Sequence, residues 1–322
     1  MIDRRTFAGL ALGAAAWPGA RALAQASWPD RRVTVVVPSA AGGTFDTLTR
    51  ILAEGLREAL GQAVMVENRG GAGGAIGADH VAKSPPDGSR FLAGAVHHAI
   101  LPAVQRLSYD SERDLVAVTD IGSSPNALIV PNGSPARDVA GLVAALRATP
   151  GASYATGGRG TLHHLTGALF SQSVGLELEP VHYRGSAPAL TDLIAGRVAF
   201  MFETLPSAAQ QIRAGTVRAL AVTSAARAPT LPEVPTMTEA GYPAIQVETW
   251  YGLFGPRGLP APVVARMAAA TRAALGSPAI RAAWEANGVS GGGRPVADFA
   301  RMWTAELAAW GTRARAARLD VE

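Results

Sequence analysis

The chain has no cysteine. It forms no disulfide, offers no thiolate for catalysis or metal binding, and has no lipobox cysteine to carry a lipid. Lysine is almost missing too: Lys83 is the only one, so nearly all of the 29 basic residues are arginine. They are scattered, and the formal net charge is +4, so no basic stripe for nucleic acid is expected. The phosphate-loop pattern G-x-x-x-x-G-K-[ST] and the nucleophile elbow G-x-S-x-G do not occur. "GAGGAIG" (71–77) has one residue too many for the dinucleotide fingerprint, and no acid follows at the required distance. His97-His98 and His163-His164 are sequence neighbours. On a helix such neighbours point about 100° apart and cannot share one metal; hydrogen bonding at a helix end or cleft is the expected role. No acid pair stands out as a general acid–base couple, so neither a metal nor a cofactor is expected. No apolar run reaches the roughly 20 residues that span a bilayer.

What is present points to export and a sizeable core. The 322 residues are 48% hydrophobic and 17% charged, enough for one large domain or two ordinary ones. "MIDRRTFAGLALGAAAWPGARALAQA" opens with Arg4-Arg5, continues with an apolar run from Phe7 to Trp17, and ends in small residues. That run is the length of a signal h-region rather than an anchor. Residues 1–26 are read as a signal peptide, cleaved after Ala24 or Ala26, and "RRTF" is similar to the twin-arginine signal that exports folded proteins. An ordinary Sec signal is the alternative. Removal takes three arginines and Asp3, lowering the net charge from +4 to +2.

The rest alternates strand and helix. "VVVPSAAGGTFDTLTRILAEGL" (35–56) reads as a strand, a glycine loop and a helix spanning Thr47–Leu60 with Gly61 as its C-cap. Strands at Val64–Glu67 and Arg90–Ala95 follow. A second round starts near Leu128, with helices at Val139–Ala148, Leu162–Val174, Ser186–Ala195 and Leu205–Ala214. Its strands lie at Ala152–Ala155, Glu179–His182, Val198–Phe202 and Val217–Thr223. Near the end, helices are expected at Pro262–Leu275, Pro278–Asn287 (Ser277 as N-cap, Pro278 at N1) and Val296–Ala316. Such alternation predicts an α/β fold with parallel sheets in two lobes. The expected limits are 27–122 plus 248–322 for the first lobe and 123–247 for the second.

Two glycine loops lead into helix N-termini, one per lobe: Ala41-Gly42-Gly43-Thr44-Phe45-Asp46 and Thr156-Gly157-Gly158-Arg159-Gly160-Thr161. Free N–H groups and the helix dipole suit an anion at each. Asp46 reads as the N-cap of the first helix, accepting from Leu48 or Thr49 N–H and leaving the preceding amides to a ligand. A ligand hydroxyl or ammonium is a second use for it.

At this point a resemblance becomes specific. The segment from Val35 through "MVENRGGAGGAIGADHVAKSPPDG" is similar to the opening of the Bug-type solute-binding proteins of tripartite tricarboxylate transporters. So, in order, are "YATGGRGTLHHLTGALF", "VHYRGSAPALTDLIAGRV", "RALAVTSAARAPTLPEVPTMTEAGYP" and "WYGLFGPRGLP". The resemblance implies a two-lobe periplasmic binding protein of type II topology, closing on a small carboxylate in the cleft between its lobes. It implies delivery to membrane permease subunits, no reaction, and a monomer. A ligand-sensing partner of a signalling receptor is the alternative; a hydrolase built on a histidine and Asp46 lacks an activated nucleophile. By analogy the ligand residues are Ala41 to Asp46, Gly157 to Thr161 with the Thr161 hydroxyl, and Thr204. The chain departs from the family pattern at Ala41, at Thr44-Phe45, at Arg159 and at His97-His98. These departures suggest retuned specificity, with Arg159, His97 and His98 as added ligand contacts. An imidazole titrating near neutrality would strengthen anion binding as pH drops from about 7.5 to 5.5.

Overall fold

The structure, a computed structural model, describes residues 28–42 and 44–316, without the side chain of Thr44. The expected signal peptide and Gly43 lie outside the described residues.

The first sheet starts from the valine run. Val33–Val37 (β1) has no exposed position, because both faces of the strand are covered. It pairs in parallel with Val64–Asn68 (β2) and Arg90–Ala95 (β3). Next to β3 lies Glu248–Pro256 (β9), antiparallel, and then the first half of Leu115–Pro131 (β4). The second half of β4 belongs to another set of partners. Phe200–Thr204 (β7) pairs with one side of it and Val217–Val222 (β8) also pairs with it, both antiparallel. Ser153–Thr156 (β5) joins β7 in parallel, and Glu179–His182 (β6) closes that edge. The handover occurs between Pro125, opposite Glu248, and Asn126, opposite Thr204. One 17-residue strand thus runs through both halves of the molecule.

Helices cover both faces of both mixed sheets, so both faces are buried. Thr44–Leu60 (α1) buries Leu48, Leu52 and Leu56 against Ala261–Leu275 (α8) and Pro278–Ala286 (α9). On the opposite face, Ala75–Ala82 (α2) and His97–Val104 (α3) pack with Val296–Ala316 (α10) through Val81, Ile100, Phe299, Trp303 and Trp310. Val139–Arg147 (α4) and Leu162–Val174 (α5) cover one face of the second sheet, around Phe170, Phe200 and Phe202. Ser186–Ile194 (α6) and Leu205–Arg213 (α7) cover the other. Leu162 and Leu165 of α5 reach into the first lobe's α3–α10 core, so the lobes meet along this line. The Ser277 cap is as expected, its hydroxyl accepting from Ile280 N at 3.2 Å behind Pro278 at the first helical position.

Four elements differ from the sequence reading, and the sheets are mixed rather than parallel, because β4 and β9 run against their neighbours. Helix α1 starts at Thr44, a turn earlier than expected. Helix α3 was not expected, since its sequence opens on two histidines and holds Pro102. Strands β4 and β9 were not expected, since Gly122 and Pro125 interrupt the first and Gly252 and Gly255 the second. Those glycines are instead packing sites: a Cβ on Gly252 would stand 2.3 Å from the Phe299 ring, so the strand needs glycine there to lie against α10.

Candidate functional site

In an open α/β sheet, ligands bind beyond the C-terminal ends of the strands, where the order switches. Four such ends converge here. Residues 38–42 follow β1, His97 follows β3, 157–161 follow β5, and Glu203-Thr204 end β7.

In the first loop, Ala41 and Gly42 are exposed, and Gly42 adopts φ 84°. Asp46 is the third residue of α1, not its N-cap as the sequence suggested. Its carboxylate reaches backward and accepts from Gly42 N at 2.9 Å, Asn68 Nδ2 at 2.9 Å and Arg50 Nε at 3.0 Å. Burial alone would raise its pKa, but the bonds from Arg50, Gly42 and Asn68 outweigh that and hold it below the ordinary value. Asp46 is thus a clamp behind the loop with both oxygens occupied, and the Gly42 amide is spent on it.

The second loop likewise uses much of its backbone internally. Gly158 N donates to Thr156 Oγ1 at 3.2 Å, Gly160 N to His164 Nδ1 at 3.2 Å, and Thr161 N to Gly158 O at 3.3 Å. The Thr161 hydroxyl caps α5, accepting from His164 N and donating to Gly158 O at 2.7 Å. Among the described residues, Gly157 N and Arg159 N remain without an internal acceptor. Gly160 has φ 75°, and a Cβ on it would stand 2.6 Å from Val104 Cγ2 of the opposite lobe, so the lobes touch closely here.

Five side chains gather between the lobes. Phe45 lies 5.2 Å from Tyr251 and edge-on to His97 at 6.4 Å, centroid to centroid. Facing them, His163 Nε2 is 3.6 Å from Glu203 Oε1. Glu203 is fully buried; its Oε1 accepts from Thr204 N at 2.8 Å and from the Thr204 hydroxyl at 2.9 Å, while its Oε2 has no partner among the described residues. Burial, and then the charge of Glu203, push the Tyr251 phenol up. Burial followed by the fields of His98 and His163 pushes His97 well down, so it is a neutral imidazole near pH 7.

Of the other expected ligand residues, His98 and Thr204 are engaged within the protein and Arg159 is exposed. His98 is turned into the core, its Nδ1 accepting from Ala95 N at 3.1 Å, and burial lowers its pKa to about 4. It does not line the space between the lobes, and burial pushes both the His97 and the His98 ring down, against the sequence reading of an imidazole titrating near neutrality. Arg159 is exposed, and its charge acts on His164 and His182 on the β6 side of the loop. The Thr204 hydroxyl is bound to Glu203 and Ser207. Glu203 and Tyr251 were missed, although Glu203 is the sole charge in the apolar run 198–205. Two surface grooves, of ≈ 710 and ≈ 520 Å³, lie away from this cluster: one between α4 and the end of α6, the other beside Tyr154 and Ala316. Among the described residues, no group of three or more His, Asp or Glu could hold a metal, and no helix is long and apolar enough to cross a membrane.

The sequence matches the Tripartite tricarboxylate transporter family receptor, TctC, over residues 48–317. The chain belongs to this receptor family. It is 41% identical over 313 residues to the UPF0065 protein in the tcbD-tcbE intergenic region of Pseudomonas sp. (strain P51), covering 95% of this chain and 92% of that one. Among solved structures, the periplasmic binding protein BugD superposes with a TM-score of 0.85 at 32% identity, covering 92% of this chain and 100% of that one. Rpa4515 of R. palustris with adipate gives 0.85 at 38% (90% and 98% covered), and MatC of Rhodopseudomonas palustris with bound malate gives 0.82 at 31% (88% and 99% covered). The fold is accordingly the two-lobe α/β architecture of periplasmic binding proteins, and for this TctC receptor the loops at the four strand ends mark where the lobes face each other.

Proposed function

We propose that this receptor captures a small organic carboxylate between its lobes in the periplasm and presents it to the membrane subunits of a tripartite tricarboxylate-type transporter, as a monomer and without chemical change to the ligand. The observation that carries this reading is the convergence of four strand-end loops, two of them feeding helix N-termini, in a chain of the TctC family. The adipate and malate in the related structures are both dicarboxylates, which supports the ligand class. We place the lobe limits at 27–122 with 248–322 and at 123–247; the change of β4 partners at Pro125 and Asn126 supports a boundary there. One ligand carboxylate meets the first turn of α1, within Ala41 to Phe45; the other meets Gly157 to Thr161, where the amides of Gly157 and Arg159 are uncommitted. His97 and Thr204 line the space between. Residues 1–26 direct export and are removed.

A thermal-shift screen of mono-, di- and tricarboxylates tests this reading. A true ligand at about 100 times its dissociation constant adds roughly 2.7 kcal/mol of stability, and scattering at that concentration shows a smaller radius of gyration. If no carboxylate shifts the melt, the reading is wrong.

A further inference from the structure

Glu203 is out of place in a site for anions. Its carboxyl group is fully buried at the end of β7, facing the inter-lobe cluster. Oε1 is held by Thr204 through a backbone N–H and a hydroxyl. Among the described residues Oε2 has no partner, and it is closed to solvent. Among them no arginine or lysine pairs with Glu203 either; His163 Nε2 stands 3.6 Å from Oε1, beyond a hydrogen bond, and His163 Nδ1 is also buried without a partner. The other residues around the space are Phe45, His97 and Tyr251, which bring no cation at neutral pH.

A buried acceptor left empty is costly. Proteins keep such a group when something else completes it. A second carboxylate from the ligand would be repelled by it; a donor would be drawn to it.

We propose that Glu203 is a specificity residue, and that the ligand is a carboxylate bearing a hydrogen-bond donor, a hydroxyl or an ammonium, on the carbon chain between its acid groups. This rests on the reading above that the space between the lobes holds a carboxylate. The loops at the ends of α1 and α5 take the acid groups. Oε2 of Glu203 accepts from the substituent, and the Thr204 N–H and hydroxyl hold the Glu203 side chain in place through Oε1. The unsubstituted diacid of the same length leaves Oε2 unpaired, and a site built to bond a polar substituent discriminates strongly against the analogue that lacks it.

The test is isothermal titration of the mature protein with diacids of four, five and six carbons, each as the unsubstituted, 2-hydroxy and 2-amino compound. At the length that binds best, a substituted compound is expected to bind at least 10-fold more tightly than the unsubstituted one. Preference for the amino compound assigns an ammonium to Oε2, and preference for the hydroxy compound assigns a hydroxyl; either supports the proposal. Glu203→Gln puts an amide donor where Oε2 stands, while its amide oxygen can still accept from Thr204, so the ranking should collapse or invert. The wild-type ranking is decisive by itself should that variant misfold. Equal or tighter binding of the unsubstituted diacid by the wild type would overturn the proposal while leaving carboxylate capture intact. So would an unchanged ranking in a folded Glu203→Gln. Binding of none of the nine compounds would overturn the proposal, and the mono- and tricarboxylates of the thermal-shift screen would then decide the carboxylate reading.

Discussion

The backbone N–H of Gly160 donates to Nδ1 of His164 across one turn at 3.2 Å, so the imidazole of a helix residue holds the loop that precedes the helix. The bond needs an unprotonated Nδ1. Burial, followed by the charges of His182 and Arg159, lowers the His164 pKa to about 4. The folded protein therefore keeps this ring neutral where the unfolded chain, with a pKa near 6.5, already binds a proton.

Stability should accordingly fall as pH drops from about 6.5 toward about 4, and His164 should supply up to about 3 kcal/mol of that loss. His164→Asn keeps an acceptor close to the position of Nδ1 but does not titrate. Urea melts at pH 7.5 and 4.5 should show the variant somewhat weaker at the higher pH and losing less on acidification. An equal acid loss in both proteins would mean that His164 takes its proton as readily folded as unfolded.

Asp46→Ala removes both acceptor oxygens that serve Gly42 N, Arg50 Nε and Asn68 Nδ2, and of these donors Asn68 is partly buried while Gly42 and Arg50 can turn to water. With Asp46 only 3% exposed, the expected cost is about 2–4 kcal/mol of folding stability. Ligand affinity should also drop, because the Gly42 end of the loop loses its tether. Calorimetric melts and titrations of the same preparation measure both. Full stability in the variant would show that the clamp is not needed.

Burial, followed by the fields of His98 and His163, pushes the His97 imidazole well down and favours the neutral ring as pH falls below 7. Its effect on affinity should therefore be the same at pH 7.5 and pH 5.5. His97→Gln should shift the dissociation constant by one factor at both values. A difference of more than about 3-fold between the two factors, roughly 0.6 kcal/mol, would mean that the imidazole charges in this range.

The alternation of apolar runs and capped helices exposed most of the fold in the sequence, because each β–α unit signals itself locally: "VTVVV" before a glycine loop, Ser277-Pro278 before a helix. Long-range economy hid the rest. Gly252 weakens β9 as a strand when read alone and becomes necessary only when Phe299, 47 positions later, lies against it. The loops of the candidate site were legible as glycine turns before helices. Which amides they keep for themselves was not, since Asp46 reaching back to Gly42 and His164 reaching back to Gly160 are matters of rotamer and helix start. Glu203 was visible as a charge in an apolar run, but its partner Tyr251 sits 48 residues away on the returning strand.

The position of β9 also has a bearing on how the molecule comes into being. It lies between β3 and β4, yet it is the last strand made. Until residues 248–256 leave the ribosome, the nascent first sheet is three strands wide and ends on β3, an edge of buried, apolar composition. Such an edge invites the wrong partner, and closing it spans more than 150 residues of chain, a slow kind of contact. The second lobe, by contrast, is continuous and can be complete by then. Birth order and architecture run opposite ways: the half that starts first finishes last, and its apolar edge stays open to other chains for about half of the time the protein is being made.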